Sequence, residues 1–294
     1  MSPSYSGSTL LTFLLANHPR ISTIGELKAS AIGDIDAYIC SCGEKFTECS
    51  FWQQVIEAMR QRGRDFSLDH FGTHFRSSSP IIDRILRATV RGRLFENMRS
   101  LAMVLVPGCR AARDEILSQN KVFIEVVEAI QEANHFLDGS KDPIRLKHLE
   151  DAGLWDIRVI RLVRDGRGVA NSYMNHMGVS MEVAAKEWVL KCKEMNNVMA
   201  FIPADRVITV HYEDLCRDVE GALLDIFDFI GLDGNDLPSD FNHVEHHILG
   251  NSMRLRSSGE VSLDEKWRRM LSHKDLDIFY AVGGDVNSDL GYER

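Results

Sequence analysis

The sequence predicts an α/β fold, a mostly parallel sheet flanked by helices, from three observations. Strand-like and helix-like segments alternate along the chain, the order that builds a parallel sheet with helices on both faces. Residues 156–163 carry Ile157, Val159, Ile160, Leu162 and Val163, the near-continuous apolar run of a strand buried on both sides. Residues 4–15 set small hydroxylated side chains around Gly7 and continue into an apolar run at helical spacing, a tight loop feeding a helix.

Taken in order, that first helix stops at Asn17-His18-Pro19, because proline disfavours helix in the residue before it. Residues 21–24 alternate as a short strand and lead into Gly25-Glu26-Leu27. Residues 51–62 read as a helix, and Ser79-Pro80 opens another, with Ile81, Ile82, Ile85, Leu86 and Val90 along one face. Residues 121–133 form a further helix, followed by a strand at 135–138 and the turn Gly139-Ser140-Lys141-Asp142-Pro143. The strand at 156–163 ends in Arg164-Asp165-Gly166-Arg167-Gly168 and passes into a helix bearing Ser172 and Tyr173. Ser180 caps a long helix to about Met199; 206–212 is the last strand and 223–230 a last helix. The expected organisation is one domain over 1–294, with a helical insertion at 50–120.

Composition narrows the function. The chain has 294 residues, 44% hydrophobic and 26% charged, with a formal net charge of −9. That balance argues against general nucleic-acid binding and requires a locally basic pocket for any anionic ligand. No apolar stretch approaches the ~20 residues of a membrane span, and the N-terminus lacks the pattern of a signal peptide. A soluble, cytoplasmic protein is the expectation. Only Met1-Ser2-Pro3 precede the glycine loop; either the chain begins upstream or the sheet manages without a strand there.

Six cysteines do not make a small-protein disulfide framework. Cys40, Cys42 and Cys49 cluster, open to three readings: zinc ligands, a local disulfide or free thiols. Three ligands without an obvious fourth lead to an expectation of no metal. Cys109, Cys192 and Cys216 are expected in the interior. Between Arg60 and Arg99 stand nine arginines and no lysine, against four acidic residues. The plainer reading is a solvated helical face; the other is a helical cap offering bidentate donors to an acidic acceptor.

The opening loop suits an anion. A helix N-terminus presents free N–H groups and the positive end of the dipole. Gly7 lets the backbone come close, while Ser6, Ser8 and Thr9 add hydroxyls. An ordinary N-cap is the bland alternative.

Three strings taken together resemble a known family. Ser6-Gly7-Ser8-Thr9-Leu10-Leu11, then Arg164-Asp165-Gly166-Arg167 with Ser172, then His211-Tyr212-Glu213-Asp214-Leu215 look like a sulfotransferase that uses 3′-phosphoadenosine 5′-phosphosulfate (PAPS). The resemblance implies a P-loop NTPase-like three-layer sandwich in which residues 5–10, from Tyr5 to Leu10, hold the 5′-phosphosulfate. It implies that Arg164 and Ser172 hold the 3′-phosphate, that Tyr212 lies near the adenine, and that Lys141 contacts the transferring sulfuryl group. Many members place a base two residues beyond that lysine, where this chain has Pro143. Members that sulfate protein tyrosine use a Glu in a His-Pro…Gly-Glu context, which His18-Pro19…Gly25-Glu26 resembles. Glu26 is therefore the expected base, with His18, His70 and His176 as rivals. Tyr5 stands where the family usually has Lys or Arg. Arg254, Arg256 and Ser257-Ser258-Gly259 resemble the segment that closes over the 3′-phosphate. The acceptor would be a small molecule, glycan or peptide. An ATP-dependent kinase fits less well, because no Gly-x-x-x-x-Gly-Lys-Ser/Thr string exists. A nucleotide-binding protein with impaired catalysis is the remaining alternative.

Overall fold

The computed structural model describes residues 1–28, 32–234, 247–250 and 261–293. The chain packs into two compact units. The first comprises Met1–Ser8, Asp156–Gly231 and Glu260–Arg294; the second comprises Thr9–Trp155 and Leu232–Gly259. Each contains one pair of parallel strands among its described residues, so the α/β class with parallel strands is the observed one.

In the first unit, β3 (Val159–Val163) pairs in parallel with β4 (Val207–His211), in register from Val159↔Val207 to Val163↔His211. Met1 lies along β3, its carbonyl accepting the Leu162 N–H at 3.0 Å and its ammonium donating to the Ile160 carbonyl. α7 (Gly166–Met177) starts because Asp165 caps it, accepting the Arg167 N–H, and stops at Gly178 in the left-handed region. α8 (Met181–Met199) is capped by Ser180, and the last helix, α10 (His273–Asp289), by a reciprocal Ser272–Asp275 capping box. Val169, Ala170, Met181, Trp188 and Phe279 close the core of this unit. Gly166 is required there, since a Cβ would lie 2.5 Å from the Trp188 ring.

In the second unit, β1 (Ile21–Ser22) and β2 (His135–Phe136) pair in parallel. The two chains continue side by side beyond the strands. Leu137 N–H donates to Ser22 O, Thr23 Oγ1 to Leu137 O, and Gly139 N–H to Gly25 O, at 2.7–2.8 Å. The core around Trp52, Phe46, Phe123, Ile24 and Leu27 is built by α2 (Ser50–Gln61) and α5 (Cys109–Ile130). α3 (Pro80–Arg87) starts at Ser79-Pro80 as expected, but ends before Val90, which is buried outside it. α4 (Arg93–Leu105), which the periodicity does not reveal, turns Leu94, Met98, Leu101 and Leu105 to solvent. Its Arg99 points inward, paired with Glu96 and donating to the Ile85 and Ala88 carbonyls. Arg60 and Arg87 make exposed pairs with Glu57 and Asp83 on their own helices, as a solvated face would. Among the described residues, no helix is long and apolar enough to cross a membrane.

Candidate functional site

The expected site residues fall into two groups, one in each unit. In the second unit, the extensions of β1 and β2 bring Glu26 and Lys141 together. Their carboxylate and ammonium are 2.5 Å apart, and each side chain remains about one-fifth exposed. The pair is built by the backbone around it. Leu27 N–H and Ser140 N–H both donate to Asp138 Oδ1, and Lys28 N–H donates to Ser140 Oγ. Asp138 is fixed in turn by Arg145, which also donates to Thr73 O and Asn120 Oδ1. Burial opposes the charge on Asp138, yet the Arg145 cation and the Ser140 hydrogen bonds hold its carboxyl below the usual range.

Glycine makes the approach possible. At Gly139 a Cβ would stand 2.9 Å from the Gly25 carbonyl, so only hydrogen fits. Gly25 has φ +80 and its own Cβ would meet the Leu249 carbonyl at 2.4 Å. Lys141 immediately precedes α6 (Pro143–Ala152), a helix the sequence pattern misses although its start is readable: Asp142 caps it and Pro143 occupies the first turn. Asp142 also pairs with Lys28 at 2.8 Å.

Of the rival bases, His18 is buried and committed to the backbone. Its Nδ1 accepts the Arg20 N–H at 3.2 Å and its Nε2 lies 3.1 Å from the Asp233 carbonyl. His70 is exposed in a turn closed by Ser67. His176 sits on α7, its Nδ1 2.9 Å from the Ser172 carbonyl. Glu26 is the candidate paired with Lys141.

In the first unit, Arg164 leaves the end of β3 nearly buried. It donates to the Tyr5 carbonyl at 3.0 Å and the Asp264 carbonyl at 2.8 Å, pairs with the Asp264 carboxylate at 3.3 Å, and lies 4.4 Å over the Tyr212 ring. Asp165 takes Arg167 as its partner instead, at 2.6 Å, beneath Trp267. Arg164 is therefore free of its sequence neighbour. Tyr212 is not on a strand: it is the first residue of α9 (Tyr212–Arg217), with His211 as the cap. Burial, partly offset by the Arg164 charge, pushes its phenol up to about 12, so it stays neutral.

The glycine loop meets these residues directly. Gly7 has φ +90, and a Cβ there would lie 2.5 Å from the Tyr212 ring. Tyr5 also takes a positive φ of 65, unusual for a residue with a side chain, and packs on Tyr173 and His176. Ser6 Oγ is buried with no hydrogen-bond partner among the described residues, a group that a water or a bound polar group would satisfy. Ser8 opens α1 (Ser8–Ala16), on which Thr9 and Leu10 also lie, and Ser172 stands half-buried on α7. The residues 254, 256 and 257–259 lie outside the described residues.

The family model described as "Sulfotransferase family" matches residues 4–236. The chain belongs to the sulfotransferase family. Two solved structures share its fold. A sulfotransferase domain from the Synechococcus PCC 7002 olefin synthase is 21% identical, with a TM-score of 0.53 over 100% of this chain and 93% of that one. A sulfotransferase domain from the curacin biosynthetic pathway is 17% identical, with a TM-score of 0.51 over 99% of this chain and 96% of that one. A search of curated proteins found no significant match. Sulfuryl transfer is the general activity of the sulfotransferase family.

Two features of this sulfotransferase escape sequence reasoning. Asp264, the partner of Arg164, is 100 residues away and carries no motif. His247 comes to lie against Cys40 and Cys49; the signal that could have raised it is the late group of His243, His246 and His247.

Proposed function

We propose that the protein transfers a sulfuryl group from PAPS to a hydroxyl or amine acceptor. The observation that carries this reading is Ser6: a buried hydroxyl without a hydrogen-bond partner among the described residues, beside a buried arginine that already binds the adjacent Tyr5 carbonyl. An unpaired buried donor next to a cation is the environment an anionic group completes.

PAPS supplies the sulfuryl group on an activated mixed anhydride. The loop from Tyr5 to Leu10 holds the 5′-phosphosulfate through backbone N–H groups and the hydroxyls of Ser6, Ser8 and Thr9. Arg164 and Ser172 hold the 3′-phosphate, and Tyr212 offers its ring to the adenine. Glu26 accepts the acceptor's proton, and Lys141 both orients Glu26 and neutralises charge on the departing oxygen. Tyr5 brings no positive charge to the loop, so Lys141 carries more of that electrostatic duty. The pairing of catalytic residues resembles that of the tyrosylprotein-type members, and a helical segment at 50–120 would cover the acceptor.

The reading is tested with ³⁵S-labelled PAPS and a panel of phenols, amines and sugars. Transfer of label to at least one acceptor supports it. Tight binding of 3′,5′-adenosine bisphosphate (PAP) with neither transfer nor hydrolysis would favour an impaired nucleotide-binding protein. Preference for Mg-ATP over PAP would favour a kinase.

A further inference from the structure

The cysteine cluster acquires its fourth member from the far end of the second unit. Cys40 and Cys42 sit at the tip of a narrow turn, closed by an Ile39–Lys45 bridge and by the Cys40 N–H donating to Glu44 O at 2.8 Å. Gly43, with φ +94, gives the turn its left-handed residue. Cys49 is the N-cap of α2, yet its side chain makes no capping hydrogen bond. His247 presents Nδ1 to this group and stacks flat on Phe51, with ring centroids 4.4 Å apart and planes within 3°.

The spacing is that of a coordination shell. Cys42 and Cys49 sulfurs are 3.7 Å apart, and those of Cys49 and Cys40 are 3.9 Å apart. His247 Nδ1 lies 3.3 Å from Cys49 Sγ and 3.6 Å from Cys40 Sγ. All four ligand atoms fall within 4.8 Å of one another. A tetrahedral ion with metal–sulfur bonds of about 2.3 Å and metal–nitrogen bonds of about 2.05 Å requires edges of roughly 3.8 Å for S···S and 3.6 Å for S···N. The observed separations bracket both. A disulfide needs its sulfurs at about 2.05 Å, and all three cysteines are free.

We propose that Cys40, Cys42, Cys49 and His247 bind one Zn²⁺ as a closed structural site. Thiolates with imidazole select zinc over the hard, oxygen-seeking cations. On binding, three thiol protons pass to solvent and the ion is held by three thiolates and one neutral imidazole. Four protein ligands leave no open position, which separates a structural site from a catalytic one. What the ion fastens is visible in the hydrogen bonds. Ile248 N–H donates to Ser41 Oγ, Gly250 N–H to Tyr38 OH, and Leu249 N–H to Ile24 O. Residues 247–250 are thus clipped to the cysteine turn on one side and to the stretch preceding Glu26 on the other. The assignment of zinc is independent of the sulfotransfer reading.

The test is metal analysis of the full-length protein expressed with zinc in the medium. About one zinc per chain is expected, and replacement by Co²⁺ gives tetrahedral d–d bands with sulfur-to-cobalt charge transfer. Cys42→Ser, at a half-buried position, and His247→Ala lose most of the metal, while Cys192→Ser retains it. A folded wild-type protein without zinc that gives no cobalt bands would overturn the proposal. So would an octahedral cobalt spectrum, a native disulfide among residues 40, 42 and 49, or equal metal loss in Cys192→Ser. The wild-type measurements decide the matter even if a ligand variant fails to fold.

Discussion

Glu26 and Lys141 face each other across the extended ends of two parallel strands, their charged atoms 2.5 Å apart. Two chain segments 115 residues apart meet there because Gly139 lets the backbone carrying Lys141 run against the Gly25 carbonyl. The carboxylate is oriented by the ammonium, on backbone held by Asp138 and Arg145.

Removing the base proposed at Glu26 should cost rate and not affinity. Glu26→Gln keeps the shape but cannot take a proton, and a loss in kcat of about 10²–10⁴-fold is expected. PAP binding should stay within about twofold. A variant with undiminished kcat would take Glu26 out of the chemistry.

Gly139→Ala should loosen the same pair from behind. The added methyl group meets backbone, which cannot swing away, so a loss of about 1–3 kcal/mol in denaturant-measured stability is expected. Transfer activity should fall with it, since the extension of β2 that leads to Lys141 must shift. An unchanged unfolding midpoint contradicts this reading.

The Asp264 carboxylate pairs with Arg164, so on the proposed reading a 3′-phosphate would have to share that arginine with it. Asp264→Asn keeps the backbone carbonyl contact and removes the carboxylate. PAP should then bind tighter, by about 1 kcal/mol, roughly fivefold. Weaker binding would mean that Asp264 serves to orient Arg164.

His148 sets a pH limit on stability. It is buried on α6, stacked on Phe75, with Nε2 2.8 Å from the Leu86 carbonyl. Burial lowers its pKa from 6.5 to about 4. The unfolded chain therefore binds a proton in that window that the folded chain refuses. Stability is full above about pH 6.5 and falls as the pH drops toward 4, by up to about 3 kcal/mol. His148→Gln should make thermal unfolding less dependent on pH between 7 and 4; an unaltered slope would contradict the assignment. The slope does not vanish, because burial and the Lys28 and Arg76 charges lower His74 to about 4 as well.

What the sequence shows depends on how local the physics is. β3 is readable because its apolar run is interrupted only by Arg161, and α7 and α8 because Asp165, Gly178 and Ser180 mark their ends within a few residues. α4 escapes because its apolar side chains face solvent while Glu96 and Arg99 pair inside, inverting the usual pattern. Tyr212 reads as strand because it follows one, yet the chain turns into a helix at that residue. Glu26 and Lys141 are nameable from their strings, but their contact depends on Gly139. His247 stands in a run with His243 and His246, but nothing local ties it to Cys49, 198 residues away.

Calorimetric titration of PAP and of 5′-AMP into the wild-type chain and into Arg164→Ala measures what Arg164 gives to recognition of a 3′-phosphate. The wild type should bind PAP at least about tenfold more tightly than 5′-AMP, a 3′-phosphate contribution of about 1.4 kcal/mol or more. Arg164→Ala should erase this preference and leave 5′-AMP binding nearly unchanged. No heat on adding PAP to the wild type, or an intact preference in the variant, would contradict this reading.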